Sequence, residues 1–345
     1  MRCSLQNAVY VAVGRIAQSE LKKIESPVVV EDDNVLLGPS SEEPKRHRTL
    51  RARYWGVEPS AELNADLASS DGKPICVARP PTVRGLLSFS RICASAAERG
   101  RQVFVMALGS DVMPAIPQGS DPAEEVYIDV AGALQRRPPV DQCSELEIVL
   151  AATLWKLWCR RSPVAISRFC ASSGALYPRL AGLGRYHAGY FPRQTPQGLL
   201  LSRFDELLLR QLSSDWIAPV KVFSNGMRAK SGLHAWLSHV GDFYVPRRLL
   251  DWSRHSRGRI IECREHSEKS SELSRWSFRW REGGEKILEQ LPSLQVAPPV
   301  SIGGAVAYDA HRAWVCRFDV RGVPYVTRFA TADGAVDGRM AVVAR

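Results

Sequence analysis

What this chain lacks narrows its reading first. It has no C-x-x-C pair and no tight Cys/His cluster: Cys3, Cys76, Cys93, Cys143, Cys159, Cys170, Cys263 and Cys316 are scattered through apolar segments. That excludes the usual zinc and dithiol frameworks and reads as reduced core thiols of a cytoplasmic protein. No run of about 18 apolar residues occurs, so neither a membrane span nor a membrane partner is expected. The early apolar run Asn7–Val13 is short and gives way to Gly14 and Arg15, unlike a secretory leader. There is no G-x-G-x-x-G fingerprint and no G-x-x-x-x-G-K-S/T loop, so no cofactor is expected. His234 and His239 are five apart, off a common helical face, and no metal is expected. Finally, no acidic residue appears between Glu147 and Asp205.

What is present is globular. The 345 residues are 45% hydrophobic and 24% charged, enough for two or three domains with their own cores. The net charge of +10 favours acidic partners, DNA or RNA first, although many soluble proteins are equally basic without one.

Residues 1–140 alternate between strand and helix patterns. Val9–Val13, Pro27–Val30, Pro74–Ala78, Gln102–Leu108 and Glu125–Val130 read as strands. Ile16–Ile24, Tyr54–Leu67 and Arg84–Arg99 read as helices, and the charged run Glu42–Arg53 reads as exposed. This predicts an α/β domain with an open, mostly parallel, Rossmann-like sheet. Such sheets take ligands beyond the carboxyl ends of their strands, which here carry Gly14, Arg15, Asp33 and Gly38. Asp32 and Asp33 are the acid/base candidates there, but adjacent residues on a strand point to opposite faces, and solvated turn residues are the plainer reading.

Residues 141–200 read as a basic helical linker. Glu145–Arg160 has an apolar helical face, and Val164–Cys170 and Leu176–Leu183 are shorter helical segments. Lys156, Arg160, Arg161, Arg168, Arg179, Arg185, Arg193 and Arg203 fall in the acid-free interval, interleaved with Tyr177, Tyr186, His187, Tyr190 and Phe191. Cations neutralise phosphates and flat rings stack on bases; equally, the rings belong to a core and the arginines to neighbouring carboxylates.

Residues 201–292 read as a winged-helix-like domain. Ser202-Arg203-Phe204-Asp205 opens a helix, with Ser202 as cap and Asp205 reaching back to it. Further helices are expected over Val220–Met227 and Pro246–Ser256, followed by strands over Arg259–Cys263 and Ser274–Trp280. The third helix carries Arg247, Arg248 and Arg254 and is the one that enters a groove in this layout. Trp216, Trp236, Trp252, Trp276 and Trp280 read as core. Residues 293–345 read as a small β-hairpin, Ser301–Val306 with Ala313–Val320, then Pro324–Phe329 and a loosely ordered tail from Ala330.

Several pieces in order resemble the bacterial domain-of-unknown-function family 1835 and its carboxy-terminal partner, domain-of-unknown-function family 3658. They are Val11-Ala12-Val13-Gly14, Leu37-Gly38-Pro39, Leu50–Trp55, Phe191-Pro192, Gly198-Leu199, Ser202–Asp205, Gly241-Asp242-Phe243, Arg248-Leu249, Ile302-Gly303-Gly304, Trp314 and Phe318-Asp319. The family tends to show Gly-Asp-Ser after the first strand, where this chain has Gly14-Arg15-Ile16. The resemblance implies the architecture and brings no activity with it.

These observations favour a regulatory or interaction protein that binds nucleic acid. Arg247, Arg248 and Arg254 are its expected groove or phosphate contacts, and Arg160, Arg161 and Arg168 further phosphate contacts. The alternatives are an enzyme acting on a phosphorylated or nucleotide-like substrate near Gly14, Arg15, Asp33 and Gly38, and a scaffold whose winged helix docks protein.

Overall fold

Val9–Val13 has no charged side chain in five residues, as a strand covered on both faces requires, and all five are buried. In a computed structural model of the chain this strand, β1, is an interior strand of a five-stranded sheet. The structure describes residues 5, 7–23, 27–31, 33, 35, 36, 38–55, 67, 72–109, 130–160, 162–195, 198–228, 232–240, 244–266, 272–286, 297–302, 305–307, 314–320 and 322–328. Several expectations lie outside these residues: Asp32, Arg161, nearly all of the helix over Tyr54–Leu67, the strand over Glu125–Val130 and the tail from Ala330.

The sheet order is β2(Val28–Glu31), β1, β3(Ile75–Arg79), β4(Val103–Ala107), β5(Val140–Gln142). The first four strands are parallel and β5 runs antiparallel to β4. Alternate residues divide between the two faces. Val9, Val11, Val13, Ile75, Val77, Val103 and Val105 face α3(Val83–Ala97) and α5(Glu145–Cys159). Tyr10, Ala12, Cys76, Ala78 and Met106 face α1(Arg15–Leu21) and α4(Val130–Gln135). The fold is therefore a mixed α/β architecture with a mostly parallel sheet.

The charged run expected to be exposed is instead α2(Pro44–Trp55), which buries His47 and Arg51. The chain divides into two compact units. One holds residues 1–114, 127–183 and 301–305, so α5 belongs to the α/β unit: Ala151 and Ile148 pack into the core of the sheet. α6(Pro163–Ser173) and α7(Pro178–Ala188) follow it. Among the described residues, no helix is long and apolar enough to cross a membrane.

The second unit holds residues 115–126, 184–300 and 306–345. Its four-stranded sheet runs β13(Pro324–Arg328), β12(Trp314–Phe318), β6(Arg193–Thr195), β7(Gly198–Leu200). The sequence showed neither β6 nor β7, and β12 pairs with β13 rather than with Ser301–Val306. A small carboxy-terminal hairpin joins β10(Val300–Ile302) to β11(Ala305–Ala307). Among the described residues four helices precede the ribbon rather than three: α8(Arg203–Leu209), α9(Pro219–Gly226), α10(His234–Val240) and α11(Tyr244–His255). The ribbon is β8(Ile261–Glu265) with β9(Trp276–Trp280), entered through the short α12(Glu272–Arg275). An isolated bridge joins Ile217 to Phe278 of β9.

The aromatic residues of the acid-free interval are core, not base-stacking platforms. Tyr186 stacks on Trp236 at 4.7 Å, and Tyr190 meets the same ring edge-on at 5.1 Å. The two phenols share a 2.6 Å hydrogen bond. His187 and Phe191 are also buried, and Tyr177, in the first unit, accepts from Arg79 at 2.8 Å.

The centre of the helical part is an ion pair. Ser202 caps α8 by accepting from the Asp205 backbone N–H at 3.1 Å, and its hydroxyl donates to Asp205 Oδ2 at 3.1 Å. Both oxygens of Asp205 accept from Arg248, Nε to Oδ1 and Nη2 to Oδ2, each at 2.7 Å. Trp252 Nε1 donates to Oδ1 at 3.1 Å. Two further guanidinium hydrogens go to the carbonyls of Pro298 and Pro299 at 2.8 and 2.9 Å. Arg248 and Asp205 are both 0% exposed. The expected groove contact at Arg248 is therefore corrected: its charge is consumed inside the unit.

Breaking such a pair from one side leaves an uncompensated buried charge. Arg248→Met is expected to cost about 3–5 kcal/mol in urea unfolding followed by tryptophan fluorescence. Adding Asp205→Asn should recover part of that loss; equal stability of wild type and Arg248→Met would contradict the pairing.

Candidate functional site

Two places hold the side chains expected to carry function. The first is the carboxyl edge of the parallel sheet. Gly14 ends β1 with φ of 90°, and its N–H donates to the Glu31 carbonyl at 2.9 Å. Arg84 Nη1 lies 3.9 Å from where a Cβ at Gly14 would stand. Arg15 sits in the first turn of α1, with its side chain outside the described residues.

Asp33 is enclosed. Its Oδ1 accepts from Arg51 Nε at 2.9 Å, its Oδ2 meets His47 Nε2 at 2.8 Å, and Arg91 Nη1 stands 3.7 Å from Oδ2. Arg91 also reaches Glu31 Oε2 at 3.2 Å. Two carboxylates and two guanidiniums thus lock β2, α2 and α3 together. Burial alone would raise the Asp33 pKa. Arg51 and the His47 hydrogen bond overcome it and hold the carboxyl well below its usual range. Burial pushes the Glu31 carboxyl up, against the pull of Arg91. An Asp held ionised with both oxygens occupied is a poor proton acceptor, so the acid/base candidate of the enzyme reading is engaged structurally. Gly38 is packed rather than open. A Cβ there would fall 2.5 Å from the Tyr54 ring and 2.8 Å from Arg51 Nη1, at a φ of 84° that favours glycine anyway.

His47 shows its tautomer by its partners. The Ser41 backbone N–H donates to Nδ1 at 3.2 Å, so the proton is on Nε2 and points at Asp33. Protonation would set an N–H against an N–H. Burial, with Arg91 and Arg51 nearby, outweighs the Asp33 carboxylate and pulls the His47 pKa down. The hollow beside this network is lined by Glu42, Arg91, Glu98 and Lys156 together with Trp155, a mixed-charge surface without a single sign.

Further along the same edge Arg79 donates to Tyr177 Oη at 2.8 Å, meets Glu147 Oε1 at 3.2 Å, and lies over the Phe89 ring at 4.7 Å. Arg179 is buried, and burial together with neighbouring Arg79 lowers its pKa to about 9.

The second place is the carboxyl end of α11. Arg254 is exposed and Arg247 half-buried, while Arg248 points inward as described. After the helix the chain turns through Arg257 and Gly258, with φ of 51° and 69°. Gly258 N–H donates to the Ser253 carbonyl at 2.9 Å, the long return bond of a helix terminus. Arg281 Nη1 donates to the Gly258 carbonyl at 3.3 Å, and Arg259 Nε to the Ser256 carbonyl at 3.3 Å. Arg254, Arg257, Arg259 and Arg281 are thereby gathered, all exposed, around one turn. Among the described residues none of the four pairs with a carboxylate. Sequence reasoning did not single out Arg281, which reaches this turn from the far strand of the ribbon; the Gly258 helix stop was its only local signal. Asp251, on the same helix face as Arg247 and Arg254, has its carboxyl raised by burial against those cations.

Arg160 and Arg168 are exposed on the first unit, and Arg161 lies outside the described residues. Arg193, Arg203 and Arg210 all converge on Glu206; the last two pairs are 3.1 and 2.6 Å. Among the described residues no three His, Cys, Asp or Glu side chains come together as a metal site requires, and the described cysteines are free thiols. Compared with known proteins, the chain matches no family model and no curated sequence.

The His47 geometry sets a pH response. The folded-state pKa lies below the unfolded value of about 6.5, so between the two the unfolded chain binds more protons, and stability is lost as pH falls. His47→Gln keeps a donor toward Asp33 and an acceptor toward Ser41. Its urea midpoint should fall less than wild type between neutral and mildly acidic pH; identical slopes would mean that the ring is not held neutral.

Proposed function

We propose that the chain is a regulatory protein that binds nucleic acid through the arginine turn of its second unit, chiefly by contacts to phosphate. The observation that carries this reading is the exposed group Arg254, Arg257, Arg259 and Arg281, clustered on a backbone turn without carboxylate partners among the described residues. Clustered exposed guanidiniums neutralise phosphates and release counterions. Base reading is not favoured. Most of α11 is buried, and its open stripe, Arg247, Asp251, Arg254 and His255, has an acid in its middle.

A winged-helix arrangement is part of the proposal. Its support is the Ile217–Phe278 bridge, which sets a third extended segment beside the β8–β9 ribbon; α10 departs from the three-helix pattern. A Rossmann-like reading of the first unit is supported by the strand order, which reverses between β1 and β3. The likeness to families 1835 and 3658 is proposed on the same architecture. A cytoplasmic location goes with this reading.

A second reading takes up the phosphorylated-ligand alternative as binding alone. It is favoured by two arginines buried in the first unit: Arg79 at the carboxyl end of β3, where open α/β sheets take ligands, and Arg179, whose pKa is lowered by burial and by Arg79. Inorganic phosphate should then raise the melting temperature of wild type but not of Arg179→Met; no shift in wild type would remove this reading.

For the first reading, fluorescence anisotropy with a duplex oligonucleotide is the test. The plot of log K against log salt should have a slope of about −3 to −4, and Arg254→Gln with Arg257→Gln should reduce it by about 2. A flat salt response, or no binding at low salt, would overturn it.

A further inference from the structure

Helix α5 is apolar on two opposite faces. Ala151, Leu154, Trp155 and Trp158 are buried against the α/β core. The outward face carries Leu146, Leu150, Thr153 and Leu157, spaced by four, three and four residues, the spacing of a coiled-coil seam. Leu146 is 54% exposed and Val149, at the edge of the seam, 53%; Leu150, Thr153 and Leu157 are half-buried beside them. A helix that is apolar all round is normally covered all round.

We propose that this seam packs against the same helix of a second copy of the chain, antiparallel about a two-fold axis. The charges at the ends of the helix select that occupant. Glu145 stands exposed at the amino end, and Lys156 and Arg160 exposed at the carboxyl end. Among the described residues none of the three has an ion-pair partner. An antiparallel pair sets Leu146 opposite Leu157 and Leu150 opposite Thr153. It brings Glu145 of each copy beside Lys156 and Arg160 of the other, and opposes the two helix dipoles. A parallel pair would set like charges together. A pattern that complements itself on reversal is what an isologous contact needs. The seam is short, at the low end of specific interfaces, below ~1,200 Å² in total. The dimer is therefore weak and dependent on concentration.

Sedimentation velocity of the full chain across a wide micromolar range tests this. The sedimenting mass should rise from one chain toward two. Leu146→Glu should abolish the rise while leaving the thermal melt unchanged, because its side chain is largely exposed. Glu145→Lys and Lys156→Glu should each weaken association by roughly tenfold, and the two together should restore it, which no folding defect would do. A chain that stays monomeric at the highest concentration, an association indifferent to Leu146→Glu, or a double variant that fails to recover would each overturn the proposal.

Discussion

A guanidinium can be buried only where acceptors meet nearly all of its hydrogens, and Asp205 is placed to do that for Arg248. The carboxylate receives both arms of the fork, and two proline carbonyls take two more hydrogens. The Ser202 hydroxyl and the Trp252 indole complete the oxygens of Asp205. One residue thus ties the start of α8, the middle of α11 and the segment before β10. The pairing is hydrogen-bonded on nearly every side, the condition under which a buried pair holds rather than destabilises. Its role is to fix which face of α11 turns inward, and hence which arginines of that helix remain outside.

The same rule sorts the other cations. Arg51 and Arg91 neutralise Asp33 and Glu31, Arg79 is held by Glu147 and Tyr177, and three arginines share Glu206. Each carboxylate so used subtracts cations from the surface. The acid-free interval between Glu147 and Asp205 does not make a uniform positive strip, because Arg179 is buried and Arg193 and Arg203 find Glu206 just beyond the interval. Net charge alone therefore overstates what a polyanion would meet. The turn around Gly258 differs in kind: it gathers its arginines by backbone hydrogen bonds and leaves their charges outward.

The elements most legible in the sequence were those that satisfy one simple pattern. The all-apolar β1, the capped α3 and the long α5 appear within a residue or two of their expected bounds. Charged and short elements were not legible. α2 reads as a solvated run because the partners of His47 and Arg51 lie 14 and 18 residues away on another element. β5, β6 and β7 have three residues each, too few for a period to show. The rings at Tyr186 and Tyr190 looked available because their cover, Trp236, lies about fifty residues further on in an unexpected helix. At the candidate site, Arg254 could be found from sequence, whereas the inward turn of Arg248 depends on a carboxylate 43 residues away.

Helix α5 follows from the same physics in the opposite direction. Its inner face was chosen by the sheet, since Ala151 lets the backbone approach and Trp155 and Trp158 fill the space beside it. Trp158 also donates to the Val35 carbonyl at 3.0 Å, which fixes the rotation of the helix about its axis. With that rotation fixed, Leu146 and Val149 have no way to turn inward without pulling both tryptophans out. Their exposure is thus forced by the core, and it is stable only to the extent that burial elsewhere outweighs it. A second apolar surface offered to that face recovers contact area at no cost to the core, which makes a rigid helix with its outer seam already formed a ready docking element.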